Sequence, residues 1–406
     1  MTVMTKDETL TLADIRAAHD RIQGHVVRTP MRYAPHLTRL TEAEVWVKYE
    51  NLQYTSSFKE RGAYNTLCQL SDAEKARGVI AMSAGNHAQG VAYHAMRLGI
   101  PATIVMPVHA PIVKVEQTRS YGARVVLHGE TVDAAKQKAM EIQQADNLVF
   151  LHPFDQLTVM AGQGTVALEM LEEHPDLDDL IIPIGGGGLI SGNAIAAKAI
   201  TPDIRITGVE AALYPSFKAA RAGIDAPCGG ATLAEGIAVK AVGQLPLKLA
   251  GHLIDEIIEV EEGFIEQAIC HYANYERTVA EGAGATPLAA MLKAPERFKG
   301  RKIGLILCGG NIDTRILSEV LMRGMERDGR LAVFRISGED RPGVLAKITG
   351  IIGEMGGNIQ HVVHDRLELD LPVKCVEYEF SIETRGPEHS QEILNALLAA
   401  GFQNRT

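Results

Sequence analysis

Leu180-Ile181-Ile182-Pro183-Ile184-Gly185-Gly186-Gly187-Gly188-Leu189 runs from a short apolar stretch into four consecutive glycines, and a helical stretch follows. The apolar run reads as a strand. A turn from strand to helix needs one or two glycines, and every further one costs conformational entropy. The surplus suggests backbone amides that cradle a phosphate at a helix N-terminus. No lysine follows the glycines, so this is not the Walker pattern, and the spacing is not that of a dinucleotide fingerprint.

The same grammar extends outward. Short apolar runs occur at Val79–Met82, Ala102–Met106, Ala123–Leu127, Leu148–Leu151, Ile204–Val209 and Ile303–Leu307. Helical patterns fall between them at His87–Leu98, Ile112–Tyr121, Thr131–Gln144, Ala161–Glu173, Gly192–Ala199 and Glu262–Tyr275. Apolar strands alternating with helices predict an α/β fold whose parallel sheets are covered on both faces. Ligands in such folds bind beyond the carboxyl ends of the strands, so chemistry is expected after Met82, Ile184 and Leu307. Ahead of this region, Leu12–Ile22 reads as a helix, residues 25–30 as extended chain and Glu44–Tyr49 as a strand.

Near residue 330 the pattern changes. Arg323–Arg330 is charged, holds two glycines and reads as a linker. Beyond it come a strand (Leu331–Ser337), a helix (Gly343–Met355), two strands (Asn358–Arg366 and Val373–Thr384) and a helix (His389–Ala400). This is a small α+β domain. The expected division is 1–329 and 330–406.

The chain has 406 residues, 46% hydrophobic and 22% charged, with a formal net charge of -10. The acidic balance argues against nucleic acid as a partner, and no apolar run approaches a membrane span. Five cysteines, odd in number and scattered, argue against a disulfide framework or a structural zinc site. They fit a reducing cytoplasm.

Three further motifs carry chemistry. Ser56-Ser57-Phe58-Lys59-Glu60-Arg61-Gly62 sets a lysine among serines, an aromatic residue and a glycine; alone, Lys59 reads as a surface lysine. Ser83-Ala84-Gly85-Asn86-His87-Ala88-Gln89-Gly90 follows a strand and opens a helix, whose free amides attract a carboxylate. Cys308-Gly309-Gly310-Asn311 again follows a strand. A thiol there is either a small buried hydrophobe or a weak hydrogen-bond partner.

Together the four motifs resemble the fold-type II pyridoxal-phosphate enzymes and, within them, the threonine/serine dehydratases, over residues 12 to 325. The resemblance implies two parallel-sheet subdomains, the smaller one (about 50–151) inserted in the larger. It implies that Lys59 carries pyridoxal 5'-phosphate covalently and acts as catalytic base, with Phe58 against one face of the ring and Gly236 against the other. Asn86 would bond the ring hydroxyl, Gly185, Gly186, Gly187, Gly188 and Leu189 would hold the phosphate, and Cys308 would face the ring nitrogen. Ser83, Asn86 and His87 would receive the carboxylate of a small hydroxy-amino acid. Serine racemases of the family carry a serine where this chain has Ala84, so elimination is expected over racemisation. Glu210 matches one ligand of the family's divalent-cation site, but the next residues lack the second acid, so no metal site is assigned.

The C-terminal part resembles the ACT domain through Leu331–Arg335, Asp340-Arg341-Pro342-Gly343-Val344-Leu345 and Gly357-Asn358-Ile359. That implies a homo-oligomer, dimer or tetramer, and control by an amino-acid effector, isoleucine or valine first. Asp340 and Asn358 are the expected effector residues. Serine racemase, 3-hydroxyaspartate dehydratase and a non-catalytic amino-acid sensor remain alternatives on the same scaffold.

Overall fold

The computed structural model describes residues 9–366 and 370–405. The chain forms two compact units, residues 1–312 and 313–406. In the first unit the strands are β1 (Met31–Tyr33), β2 (Glu44–Tyr49), β3 (Val79–Met82), β4 (Ala102–Met106), β5 (Arg124–Leu127), β6 (Val149–Phe150), β7 (Asp179–Pro183), β8 (Arg205–Ala211), β9 (Glu256–Val260) and β10 (Lys302–Leu307).

They make two sheets. The larger has the order β1-β2-β10-β7-β8-β9, parallel except for β1. The smaller, β5-β4-β3-β6, is wholly parallel. Its alternation is visible in the packing. Val79, Ala81 and Ile104 enter one apolar cluster with Ala88, Val91 and Ala92 of the helix Asn86–Arg97. Ile80 and Val105 point the other way, onto Ala135 and Ala139 of the helix Val132–Asp146. Helices therefore cover both faces, as the continuous apolar runs predict. Successive strands need connecting helices because parallel neighbours cannot be joined by a tight turn.

The expected strands and helices recur with boundaries shifted by a few residues, the helix Leu12–Ile22 without any shift. Thr11 closes a capping box with Asp14 there, which holds the first turn in register.

The second unit begins with a helix, Thr314–Arg327, followed by β11 (Leu331–Glu339), β12 (Asn358–Asp365), β13 (Cys375–Glu383) and β14 (Gln403–Asn404). Its sheet is antiparallel between neighbours, in the order β12-β13-β11-β14, and the helices Val344–Glu354 and Pro387–Ala399 pack through Ile348, Ile352, Ile393 and Leu397. The expected linker at 323–330 is corrected. Most of it is the last turns of the helix Thr314–Arg327, which Asp313 caps by accepting from the amides of Arg315 and Ile316. Its charges are a solvated helix face rather than a flexible tether. Among the described residues no helix is long and apolar enough to cross a membrane. No disulfide bond joins any of the five cysteines.

Candidate active site

The carboxyl ends of β10 and β7 are neighbours in the large sheet, and β3 of the small sheet turns its own carboxyl end into residues 83–86. Lys59 opens the helix Lys59–Leu67. The backbone before it is tied to the loop after β10: Phe58 N–H donates to Cys308 O (3.1 Å), Gly310 N–H to Ser56 O (2.9 Å), and Ser57 bridges Gly309. Ser56 sits in the left-handed region (φ 55°), a strained turn for a residue with a side chain. This turn aims Lys59 at Pro153, whose carbonyl accepts from Nζ (3.0 Å). Nζ also lies 5.1 Å from the centroid of the buried Phe58 ring. Burial pushes the ammonium down to about 8, against the opposing pull of Cys308 and Glu281. A lysine so placed holds its proton loosely near neutral pH.

Each of the four glycines is needed where it stands. A Cβ on Gly185 would come within 2.9 Å of Ile237 Cα, and one on Gly188 within 2.9 Å of Phe154 Cα. A Cβ on Gly186 would run into the Phe154 ring. Gly187 has φ 94° and caps the helix Gly188–Ile200 with no side chain. The amides of Gly188, Leu189 and Ile190 have no carbonyl one turn back to bond, so they stay open as donors. Phe154 thus gives the glycine run a packing reason that sequence reading did not supply. Gly187→Ala combines a left-handed backbone with contacts at 2.6 Å to Phe217 and 2.7 Å to Pro246. It is expected to cost about 1–3 kcal/mol and to weaken cofactor retention, read by thermal denaturation and by visible absorbance after dialysis.

Asn86 begins its helix with no side-chain cap, after Gly85. Ser83 Oγ accepts from Gly85 N–H (3.1 Å) and shapes the turn. Asn86 donates through Nδ2 to Glu281 (2.7 Å) and accepts at Oδ1 from Asn311 Nδ2 (2.8 Å). His87 is buried, and its Nε2 donates to Leu151 O (3.2 Å). Burial, then the charge of Lys59, pushes its imidazole down to about 3, so it is neutral. What His87 offers an anion is its backbone amide, not its ring.

Cys308 is buried (2% exposed), and burial pushes its thiol well up. An added Cβ on Gly236 would come 3.2 Å from Ala283 and 3.5 Å from Glu281 Oε1. Glu281 is the residue that sequence reading missed. It is buried between Asn86 and Gly309, and its only local signal is one acid among small apolar residues. The structure therefore gathers Lys59, Phe58, Asn86, Cys308, Gly236 and Glu281 around one cleft.

Glu210 serves a different purpose. Both its oxygens accept amides of the helix Ser216–Ala222, from Phe217 (2.7 Å) and Lys218 (3.0 Å). Burial raises its carboxyl to about 7. Among the described residues no three His, Cys, Asp or Glu side chains converge as metal ligands. In the second unit, Asp340 follows β11 and pairs with Arg366 (3.3 Å), while Asn358 begins β12 and donates to Glu383 (3.3 Å). In register, Asn358 stands level with Leu331 through Glu383, whereas Asp340 follows Glu339, which pairs with Cys375. At about 3.3 Å per residue they sit at opposite ends of the sheet, roughly 30 Å apart along the strands.

These residues fit pyridoxal phosphate. The glycine cradle leaves no room for a Cβ, open amides face a position suited to a phosphate, and an enclosed lysine with a loosely held proton stands nearby. Residues 22–309 match the family described as pyridoxal-phosphate dependent enzyme, and residues 332–402 match the ACT domain. The L-threonine ammonia-lyase of Thermotoga maritima is 42% identical over 398 residues, covering 98% of this chain and 99% of that protein. Among solved structures, maize serine racemase is 34% identical with a TM-score of 0.73, over 79% of this chain and 99% of that one. The processed form of threonine deaminase isoform 2 from Solanum lycopersicum is 36% identical with a TM-score of 0.72, over 77% of this chain and 86% of that one. The chain belongs to the pyridoxal-phosphate dependent enzyme family, with an ACT domain following its catalytic unit.

Proposed function

We propose that this protein is a threonine ammonia-lyase, converting L-threonine, and L-serine with it, to a 2-oxo acid and ammonia. The observation that carries this reading is the full-length likeness to L-threonine ammonia-lyase, which runs through both the catalytic unit and the ACT domain. Pyridoxal phosphate, held by Lys59 and the Gly185–Leu189 cradle, supplies the electron sink. The chain supplies position and proton movement. Ser83 and the amides of Asn86 and His87 hold the substrate carboxylate. Lys59 Nζ, whose hold on its proton burial loosens, takes the proton from Cα. Asn86 would hold the ring hydroxyl. Cys308 would face the ring nitrogen and, as a weak hydrogen-bond partner, favour elimination over transamination.

The likeness to maize serine racemase supports a racemase as the second reading. Ala84 speaks against it, because a methyl group carries no proton to the opposite face of Cα. Purified protein is incubated with L-threonine, L-serine and 3-hydroxyaspartate, and 2-oxo acid and D-serine are both measured. Rapid 2-oxo acid formation from L-threonine is expected. D-serine as the main product from L-serine sinks the assignment.

The ACT domain supports control by an amino acid, isoleucine or valine first, in a homo-oligomeric, cytoplasmic enzyme. The separation of Asp340 and Asn358 supports a site to which two copies each give one of them. Isoleucine or valine is expected to change turnover of the full chain, and a chain ending at residue 329 is expected to lose that response while keeping basal turnover. A response that survives truncation overturns the assignment.

A further inference from the structure

Glu281 is a buried carboxylate (8% exposed) with no salt-bridge partner at hydrogen-bond distance among the described residues. Isolating a charge from water in this way costs several kcal/mol, which points to a task for the residue. Its partners define that task. Its own N–H donates to Gly309 O (3.0 Å), which fixes it to the loop that carries Cys308. Its Oε1 accepts from Asn86 Nδ2 (2.7 Å), and the Asn311 amide is a second donor. At the far end, Asn311 Nδ2 donates both to Asn86 Oδ1 (2.8 Å) and to Thr55 O (2.8 Å).

The chain Thr55–Asn311–Asn86–Glu281 has a direction. A backbone carbonyl at one end and, above about pH 7, an ionised carboxylate at the other can only accept. Turning the Asn86 amide over would set Oδ1 against the Glu281 carboxylate and Nδ2 against the Asn311 amide group. Both contacts are repulsive. Both Nδ2 hydrogens of Asn86 are therefore fixed as donors, one of them to Glu281. Facing Glu281 are Lys59 and Cys308 within the cleft, Lys114 from the helix Ile112–Ser120, and Glu235 beside Gly236. Glu281 acts on two cations: Lys114, which also pairs with Glu235 (2.8 Å), and Lys59, which it pulls upward together with Cys308.

We propose that Glu281 is a positioning residue: it locks Asn86 as a hydrogen-bond donor toward the cofactor and is the buried anion that holds the proton at Lys59. This rests on the assignment of Lys59 and Asn86 to pyridoxal phosphate. Burial raises the Glu281 carboxyl to about 7, with the Asn86 bond opposing. The anion, and with it the lock on Asn86 and the pull on Lys59, is therefore the main form above about pH 7.

The test is a pH titration of the visible absorption band of the purified, cofactor-loaded full chain, with no substrate present. Glu281→Gln keeps the shape and removes the charge. Its midpoint is expected about one unit below that of the unaltered protein, the shift that loss of a nearby opposite charge brings. An unchanged midpoint overturns the proposal. Glu281→Asp keeps the charge but draws it back from Asn86. It is expected to hold the midpoint and to lose about tenfold in cofactor retention, a tenfold change being about 1.4 kcal/mol. Should Glu281→Gln not fold, as judged by near-ultraviolet circular dichroism, undiminished retention in Glu281→Asp overturns the proposal. Because the titration needs no substrate, it separates the two ideas. Failure of the unaltered enzyme to form a 2-oxo acid from L-threonine sinks the functional reading and leaves Glu281 in place. An unmoved midpoint in an active enzyme does the reverse.

Discussion

Lys59→Ala is expected to lower turnover of L-threonine by at least about a thousandfold while leaving the protein folded. In the proposed role two contributions vanish together: the covalent hold on the cofactor and the group that moves the Cα proton, the latter alone worth about 10²–10⁴. Neither His87 nor Cys308 replaces it. His87 is neutral with its Nε2–H committed to Leu151, and Cys308 is a thiol whose proton burial holds tightly. Stability moves the other way. Lys59 titrates at about 8 in the folded, cofactor-free protein against its ordinary 10.5. Between those values the unfolded chain binds the extra proton, so this residue's cost to folding is complete below about pH 8 and fades as pH rises toward 10.5. Cofactor-free Lys59→Ala is therefore expected to melt no lower than the cofactor-free parent at pH 7. Residual turnover above about one per cent, in a sample whose bound cofactor has been removed and replaced, would refute the role given to Lys59.

Arg61→Leu is expected to destabilise the first unit by about 3–5 kcal/mol, the toll of breaking a buried ion pair by removing one partner. Arg61 has no exposed surface. Its guanidinium donates to Glu50 through Nε (2.8 Å) and Nη2 (2.7 Å), and to Glu169 through Nη1 (2.7 Å) and Nη2 (2.9 Å). Lys48 donates to Glu169 from the other side (2.6 Å). The network clamps the helix that begins at Lys59 to β2 and to the helix Leu157–Glu173. Without Arg61, Glu169 keeps Lys48, while Glu50 is left with only the neutral donors Thr29 and Gln53. At roughly 2–4 °C per kcal/mol, the melting temperature should drop by about 10 °C. The pH dependence identifies the cause. Burial alone would raise Glu169, but Arg61 and Lys48 hold it down to about 2. That stabilisation is present above the ordinary carboxylate value and is lost as pH falls toward 2. The gap between parent and variant should therefore narrow below about pH 4.5. A gap that is constant with pH would point to lost packing instead.

The cofactor motifs were legible because their signals are local. Strand ends, helix starts and glycine turns involve residues within a few positions of one another, so Met82, Ile184 and Leu307 marked the site before any contact was known. The helix Gly282–Lys293 was not legible, because Gly282, Gly284 and Pro287 look like breakers. Its glycines answer to distant backbone instead: a Cβ on Gly284 would lie 2.6 Å from Gly309 O, and one on Gly282 would strike Leu233 O. Strand β9, the short helices and the capping role of Glu210 escaped for the same reason.

Lys59, the Gly185–Leu189 run, Asn86 and the apolar strand pattern follow from the chain's own order, because periodicity and turn chemistry act between near neighbours. Glu281 beside Asn86, the Thr55–Asn311 link and the distance between Asp340 and Asn358 follow from strand order and burial. Those depend on pairings between segments up to 256 residues apart. Solvent exclusion turns one ordinary acid into a buried charge only once those segments close around it.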